Sequence, residues 1–271
     1  MLNWFNKNNQ NKGNLIFFSA FVAFFLISFR KIFLIKGILG HNWDWSFPAL
    51  DFLFRKIDLL SRYAWWDFDL GLPLNLTLSQ LGPNTLVKIL AFLFPPKIVI
   101  LFLLFLITLV AFISFKKLLD FVNQKTWLNY LPSFLYAFSP FLFNDIIGGS
   151  WYMWVSYAVA PLFFLNLVKF VFKGNIKFLL FFLIISIFTI VSLQHFLLIE
   201  LIVFAYLLYQ LIIKRDLNFL KIIRNYFLAQ TVLIVFNLFW LLPFVYSLGD
   251  FIKSASQFSF TGAFASVRYS T

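Results

Sequence analysis

The sequence predicts an all-α protein: a polytopic transmembrane helix bundle of about seven spans, with a long external first loop containing interfacial amphipathic helices. Three observations predict it. Hydrophobic residues make up 62% of the 271 residues and charged residues 12%, where a soluble domain carries about 25% charged residues. Apolar runs of spanning length follow one another closely after residue 95. Twelve of the 22 basic residues fall in one alternate set of loops, as cytoplasmic loops require, and half of the others lie in the long first loop, where the rule is weaker. Cysteine is absent, which excludes disulfides and thiolate metal sites. The net charge of +12 reads as topology rather than nucleic-acid affinity. The 42 phenylalanines accompany many Asn, Ile and Lys, as AT-rich coding gives, and carry no functional weight.

Taken in order, residues 1–13 are polar and hold Lys7 and Lys12. The first span is expected over 14–35. A signal peptide is the competing reading. The length and bulk of the run, with no small-x-small pattern after it, favour an uncleaved anchor. Arg30 and Lys31 interrupt its far end, where long side chains reach headgroups. Residues 36–95 form the external loop. Within it, Leu50, Leu53, Phe54, Ile57 and Leu60 recur at helical spacing, and Asp51/Arg55 and Asp58/Arg62 are i,i+4 pairs. A helix of this kind, over 49–63, lies in the membrane interface. Residues 84–94 are apolar, too short to span, and end at Pro95-Pro96, which reads as a re-entrant half-helix. Further spans are expected near 97–115, 128–146, 151–172, 177–194, 196–213 and 225–248, with Gln194 and His195 joining the fourth of these to the fifth. A polar tail over 254–271 closes a single transmembrane domain, 1–271.

Charge sets the orientation. One alternate set of loops holds twelve basic residues, among them Lys116, Lys169, Lys173 and Lys177, against Asp120 and Asp216. The other set holds seven of the ten acids: Asp44, Asp51, Asp58, Asp67, Asp69, Asp145 and Asp250. The amino terminus is therefore expected in the cytoplasm and the long loop outside.

An external loop rich in Asp, Trp and Arg suits a lipid-borne substrate. A carboxylate can take the proton of an acceptor hydroxyl that attacks the anomeric carbon of a sugar on polyprenyl phosphate. The base contributes roughly 10²–10⁴-fold, and cations stabilise the departing phosphate. Asp44, between Trp43 and Trp45, is the candidate base. Trp43, Trp45, Trp65 and Trp66 are candidate sugar platforms, with Arg62, Asp67, Asp69 and Asp145 as further substrate contacts. Arg30, Lys31 and Arg55 are candidate phosphate partners. No ATP-binding motif is present, so an activated lipid donor would supply the energy.

The bland readings stand beside these. Asp44 can be a solvated or helix-capping acid, and the basic residues can simply bind headgroups. Asp67 and Asp69 can form a solvated turn or hold a divalent cation or sugar. No spacing typical of metal ligands accompanies them. Trp151, Trp154 and Trp240 read as an interfacial aromatic belt. Glu200 lies alone inside a span; an intramembrane carboxylate is a functional candidate, with a protonated, hydrogen-bonded structural role as the equal alternative. His195, five residues earlier, shares its helical face poorly.

Three pieces of the chain resemble the GT-C superfamily of membrane glycosyltransferases, in particular its arabinofuranosyltransferase-like and YfhO-like members. They are Trp43-Asp44-Trp45-Ser46-Phe47-Pro48, Trp66-Asp67-Phe68-Asp69-Leu70-Gly71-Leu72-Pro73, and the stretch from Ser139-Pro140 through Gly148-Gly149-Ser150-Trp151 to Pro161. Asn237 to Pro243 is similar in kind. The resemblance implies a polyprenyl-phosphate sugar donor, a glycan or lipid acceptor, and a bacterial or archaeal plasma membrane. It places Asp44 at the family's first-loop catalytic Asp. Asp44 lacks the adjacent acid common in that superfamily, so a partner from Asp67, Asp69 or Asp145 is expected. Members are also longer, which predicts an amino-terminal core or a fragment. A transporter or flippase of lipid-linked sugars is the rival expectation, and a non-catalytic membrane scaffold the third.

Overall fold

A computed structural model describes residues 16–34, 79–123, 126–143, 151–213 and 218–246, and every element among them is helical. Helix α1 (Ile16–Ser28) passes through a turn at Phe29 into α2 (Arg30–Leu34). Then come α3 (Leu81–Leu93), α4 (Pro96–Val122) and α5 (Tyr130–Ala137), the last entered by a 3-10 turn over Trp127–Asn129. Helices α6 (Trp151–Lys173), α7 (Ile176–Thr189), α8 (Leu193–Ile213) and α9 (Phe219–Phe236) follow. Short helical stretches at 140–143 and 238–246 resume after α5 and α9.

Among the described residues, four helices are long and apolar enough to cross a membrane: Lys97–Val122, Trp151–Lys173, Leu193–Ile213 and Phe219–Phe236. Helices α1, α3 and α7 are apolar but shorter. The half-helix expected at 84–94 is α3, stopped where Phe94 is extended ahead of Pro95. Other boundaries differ from expectation. The span at 97–115 runs on to Val122, where Lys116 and Asp120 pair one turn apart at 2.7 Å. The span at 128–146 breaks at Phe138, because Ser139 precedes a proline, and the Ser139 hydroxyl accepts from the Leu142 amide at 3.2 Å as the helix restarts. The span at 177–194 ends at Thr189. Gln194 and His195 lie in the first turn of α8 rather than between helices, since the Ser192 carbonyl already accepts the Phe196 amide at 3.0 Å. The last helix begins at Phe219, capped by Asn218, and breaks at Asn237.

Helix α6 is the centre, packed on α4, α7, α8 and α9. It contains Pro161. A proline in a helix leaves the carbonyl four residues earlier without its amide. That carbonyl, on Tyr157, accepts the Tyr136 hydroxyl of α5 at 2.7 Å, and the next one, on Ala158, accepts the Ser114 hydroxyl of α4 at 2.7 Å. Polar side chains thus fasten three helices at the point where the proline weakens one.

Phenylalanine builds the other contact. Phe21, Phe25 and Phe29 recur every four residues on α1 and the turn after it, and all are buried. They meet Phe105 and Phe112 of α4 and Phe134 and Phe138 of α5 and its C-cap, with ring centroids 5.2–6.5 Å apart. The sequence assigned these rings no role; they join the first helix to the bundle.

The bundle has two ends. At one, Lys169 lies over the rings of Phe121 and Phe178 and Lys173 over Phe178, which brings the end of α6 beside the end of α4 and the start of α7. Gly174 makes the α6–α7 turn with φ +72°, a conformation that a Cβ disfavours. At the opposite end lie the start of α6, the α7–α8 turn and the start of α3. Gly82 of α3 sits so close to Ile187 of α7 that a Cβ there would overlap the Ile187 side chain.

Candidate functional site

The residues at this opposite end frame two neighbouring cavities. The first, of about 270 Å³, is lined by Ser79 and Gln80 ahead of α3, Tyr152 and Met153 of α6, residues 190–194 at the α7–α8 turn, and Trp240. Hydroxyls, amides and one indole stand among the apolar side chains of Met153, Ile190, Val191 and Leu193, with no charge in the lining. Three of the polar ones are fixed from behind. Tyr152 donates to the buried Asn84 of α3 at 2.8 Å. Trp240 donates to Asn237 at 2.9 Å, and that asparagine donates back to the Leu233 carbonyl at the break in the last helix. Ser192 bonds the His195 Nδ1 at 2.9 Å, and the Phe141 ring meets the His195 imidazole edge-on at 5.9 Å.

The second cavity, of about 190 Å³, is wholly apolar. Pro83 and Leu86 of α3, Leu103 to Val110 of α4, Val155 and Ala158 of α6, and Phe188 of α7 line it, with Trp151 beside Tyr152 of the first. The contact with Leu103 and Ile107 also sets a level. At about 1.5 Å per residue, α4 extends roughly 10–15 Å beyond the point where α6 begins. The polar cavity is therefore recessed below the start of α4, not on the outermost rim of the bundle.

Of the expected site residues, the structure describes Arg30 and Lys31 alone. Both are exposed on α2. Lys97 at the start of α4 joins them, donating to the Phe33 carbonyl at 3.0 Å. This third cation was not among the expected phosphate partners. Asp44, Trp43, Trp45, Arg55, Arg62, Trp65, Trp66, Asp67, Asp69 and Asp145 lie outside the described residues, as does the interfacial helix at 49–63.

The tryptophan belt is corrected. Trp151, Trp154 and Trp240 are 3%, 1% and 5% exposed, so they pack inside the protein rather than facing its surroundings. The packed interface between α6 and its neighbours claims them. The cavity residues Gln80, Tyr152, Ser192 and Gln194, and Asn84 behind Tyr152, were not expected either. Asn84 in an otherwise apolar half-helix was the available signal, since a buried amide demands a partner.

Glu200 and His195 keep separate company. Gln230 and Tyr226 of α9 donate to the Glu200 Oε2 at 2.9 Å and 3.4 Å, while His195 faces the α7–α8 turn. Among the described residues, no group of three or more His, Asp or Glu comes together as a metal would require.

No protein-family model matches the chain, and neither does any curated protein or any solved structure.

Proposed function

We propose that the chain is a multi-pass membrane glycosyltransferase that moves a sugar from polyprenyl phosphate to an envelope glycan or lipid on the outer face of the membrane. The observation that carries this reading is the pair of cavities: an uncharged recess that sets hydroxyl, amide and indole groups among apolar side chains, beside a slot with no polar lining. A lipid-linked sugar has the same division. Amides and hydroxyls exchange hydrogen bonds with sugar hydroxyls, and apolar surface favours burial of a hydrocarbon chain.

In this reading the bundle crosses the membrane seven times. The helices around 128–146 and 219–246 cross in two pieces each, and α3 is re-entrant. The end carrying Lys116, Lys169, Lys173, Lys177 and Lys221 faces the cytoplasm, so the polar recess opens outward. Arg30, Lys31 and Lys97 lie at headgroup level and offset the charge of the lipid phosphate.

Asp44 takes the proton from the acceptor hydroxyl. The acceptor oxygen bonds to the anomeric carbon, the sugar–phosphate bond breaks, and the electron pair leaves with the lipid phosphate. Asp67, Asp69 or Asp145 supports Asp44 from the loops. The test is Asp44→Asn in membranes: transfer of a labelled sugar from a polyprenyl-phosphate donor falls at least ~10²-fold, the lower range for a general base, with expression unchanged. Wild-type transfer by that variant would remove Asp44 from the mechanism.

One observation favours a transporter or flippase of lipid-linked sugars instead. Helices broken at mid-length, as at Phe138 and Asn237, are the form that carries binding sites in secondary transporters. Movement of an intact lipid-linked sugar across vesicles, with no transfer product, would select it.

A further inference from the structure

We propose that Glu200, with Gln230 and Tyr226, forms a proton-binding site inside the helix bundle, with the proton on the Glu200 Oε1. This site is separate from the two cavities and independent of either reading of the function.

The geometry begins with how α8 and α9 are held. Both pack on α6 but make little contact with each other. Across the gap between them reach the bonds to one Glu200 oxygen: Gln230 Nε2 at 2.9 Å and the Tyr226 hydroxyl at 3.4 Å. Tyr226 and Gln230 are one turn apart, so they present two donors to one carboxyl. The other oxygen, Oε1, is buried and has no hydrogen-bond partner. A carboxylate with one oxygen orphaned among apolar helices is costly, and a proton on that oxygen removes the charge.

No compensating cation is supplied by the helices packed around it. Lys169 and Lys173 of α6, Lys177 of α7 and Lys221 of α9 belong to the end of the bundle where α8 terminates, and Arg224, two residues before Tyr226, is exposed and forms no ion pair with Glu200. Glu200 is eight residues into α8 from the opposite end. His195 on the same helix bonds Ser192, and Tyr226 is the titratable side chain that faces the carboxyl. The paired oxygen and its two donors fix the group's direction, and the remaining oxygen is a one-atom site. A metal ion would need several oxygens around it; a proton needs one.

The test uses the full chain in native membranes and N,N′-dicyclohexylcarbodiimide, an apolar reagent that reacts with protonated carboxyls. The carboxyl oxygen bonds the carbodiimide carbon, the carboxyl proton passes to a carbodiimide nitrogen, and acyl migration gives a stable N-acylurea detectable on the Glu200 peptide by mass spectrometry. Labelling at Glu200 is expected at neutral pH and falls as the pH is raised. Glu200→Gln abolishes it. Gln230→Leu removes a donor that favours the ionised form, so the labelled fraction at raised pH increases at least twofold; Tyr226→Phe moves it the same way. Three results would overturn the proposal. They are no adduct at Glu200, modification instead by a water-soluble carbodiimide with an amine nucleophile, and protection by sodium at constant pH, which would make the ligand a metal cation.

Discussion

Gly82 offers the sharpest test of how the half-helix is seated. In Gly82→Ala the new Cβ overlaps the Ile187 Cγ2 and lies 3.6 Å from the Ile187 Cβ and 3.9 Å from its carbonyl oxygen. A β-branched side chain in a helix has one strongly preferred χ1 rotamer, so Ile187 cannot swing aside cheaply. Overpacking costs about 1–3 kcal/mol. Alanine returns less than about 1 kcal/mol of helix propensity so near the helix start. The net loss is about 1–2 kcal/mol, and at about 2–4 °C per kcal/mol for a chain near this size the midpoint falls by roughly 2–8 °C. Ile187→Ala alone also destabilises, by about 2–4 kcal/mol if the neighbours fail to close the space. The double variant should be more stable than the two single losses predict together, by at least about 1 kcal/mol, because the alanine Cβ occupies the vacated volume. Thermal unfolding in detergent, followed by tryptophan fluorescence, measures all four proteins. Strict additivity would refute the close approach of α3 to α7.

Three further outcomes follow from features already described. Gly174→Ala forces a Cβ into a left-handed backbone conformation and should cost about 1–2 kcal/mol, read in the same melts, with Gly174→Asn costing less. Tyr152→Phe withdraws the hydroxyl from the buried Asn84 and should cost about 1–3 kcal/mol; an unchanged midpoint would show that this bond does not fasten α3 to α6. Because the chain has no cysteine, single cysteines report topology without background. An impermeant maleimide applied outside intact cells should label Gln194→Cys and spare Asn123→Cys, and the opposite pattern would invert the orientation.

The apolar runs made the helices legible, because a spanning helix must satisfy every backbone group internally and leaves a long, unmistakable trace. Their breaks were less legible. The stop at Phe138 could be read from Ser139-Pro140, but the stops at Thr189 and Asn237 occur in sequence that is apolar on both sides, where hydropathy shows no change. The stripe Phe21, Phe25 and Phe29 was visible as spacing yet indistinguishable from lipid-facing residues, since lipid and protein interior are equally apolar. Trp151, Trp154 and Trp240 were misplaced for the same reason: near a helix end, an indole suits an interface or a packed core. The first cavity was hidden because its lining comes from four segments far apart in the sequence. The acids and tryptophans of the first loop were conspicuous in sequence, and their bearing on the cavity rests on the Asp44 experiment.

The brevity of α7 has a consequence for the bilayer around it. Fourteen residues span only about 21 Å, against a hydrocarbon thickness of about 30 Å. Leu180, Phe181 and Ile184 on its free face are more than half exposed, so in the proposed membrane setting this short helix meets lipid directly. In that setting, acyl chains beside it tilt or compress to meet its length, and the bilayer thins on that flank. With the proposed orientation, headgroups there descend toward the α7–α8 turn, which is the lip of the recess. A phosphate arriving along that flank would reach the recess while still in its own headgroup layer, without being drawn into hydrocarbon.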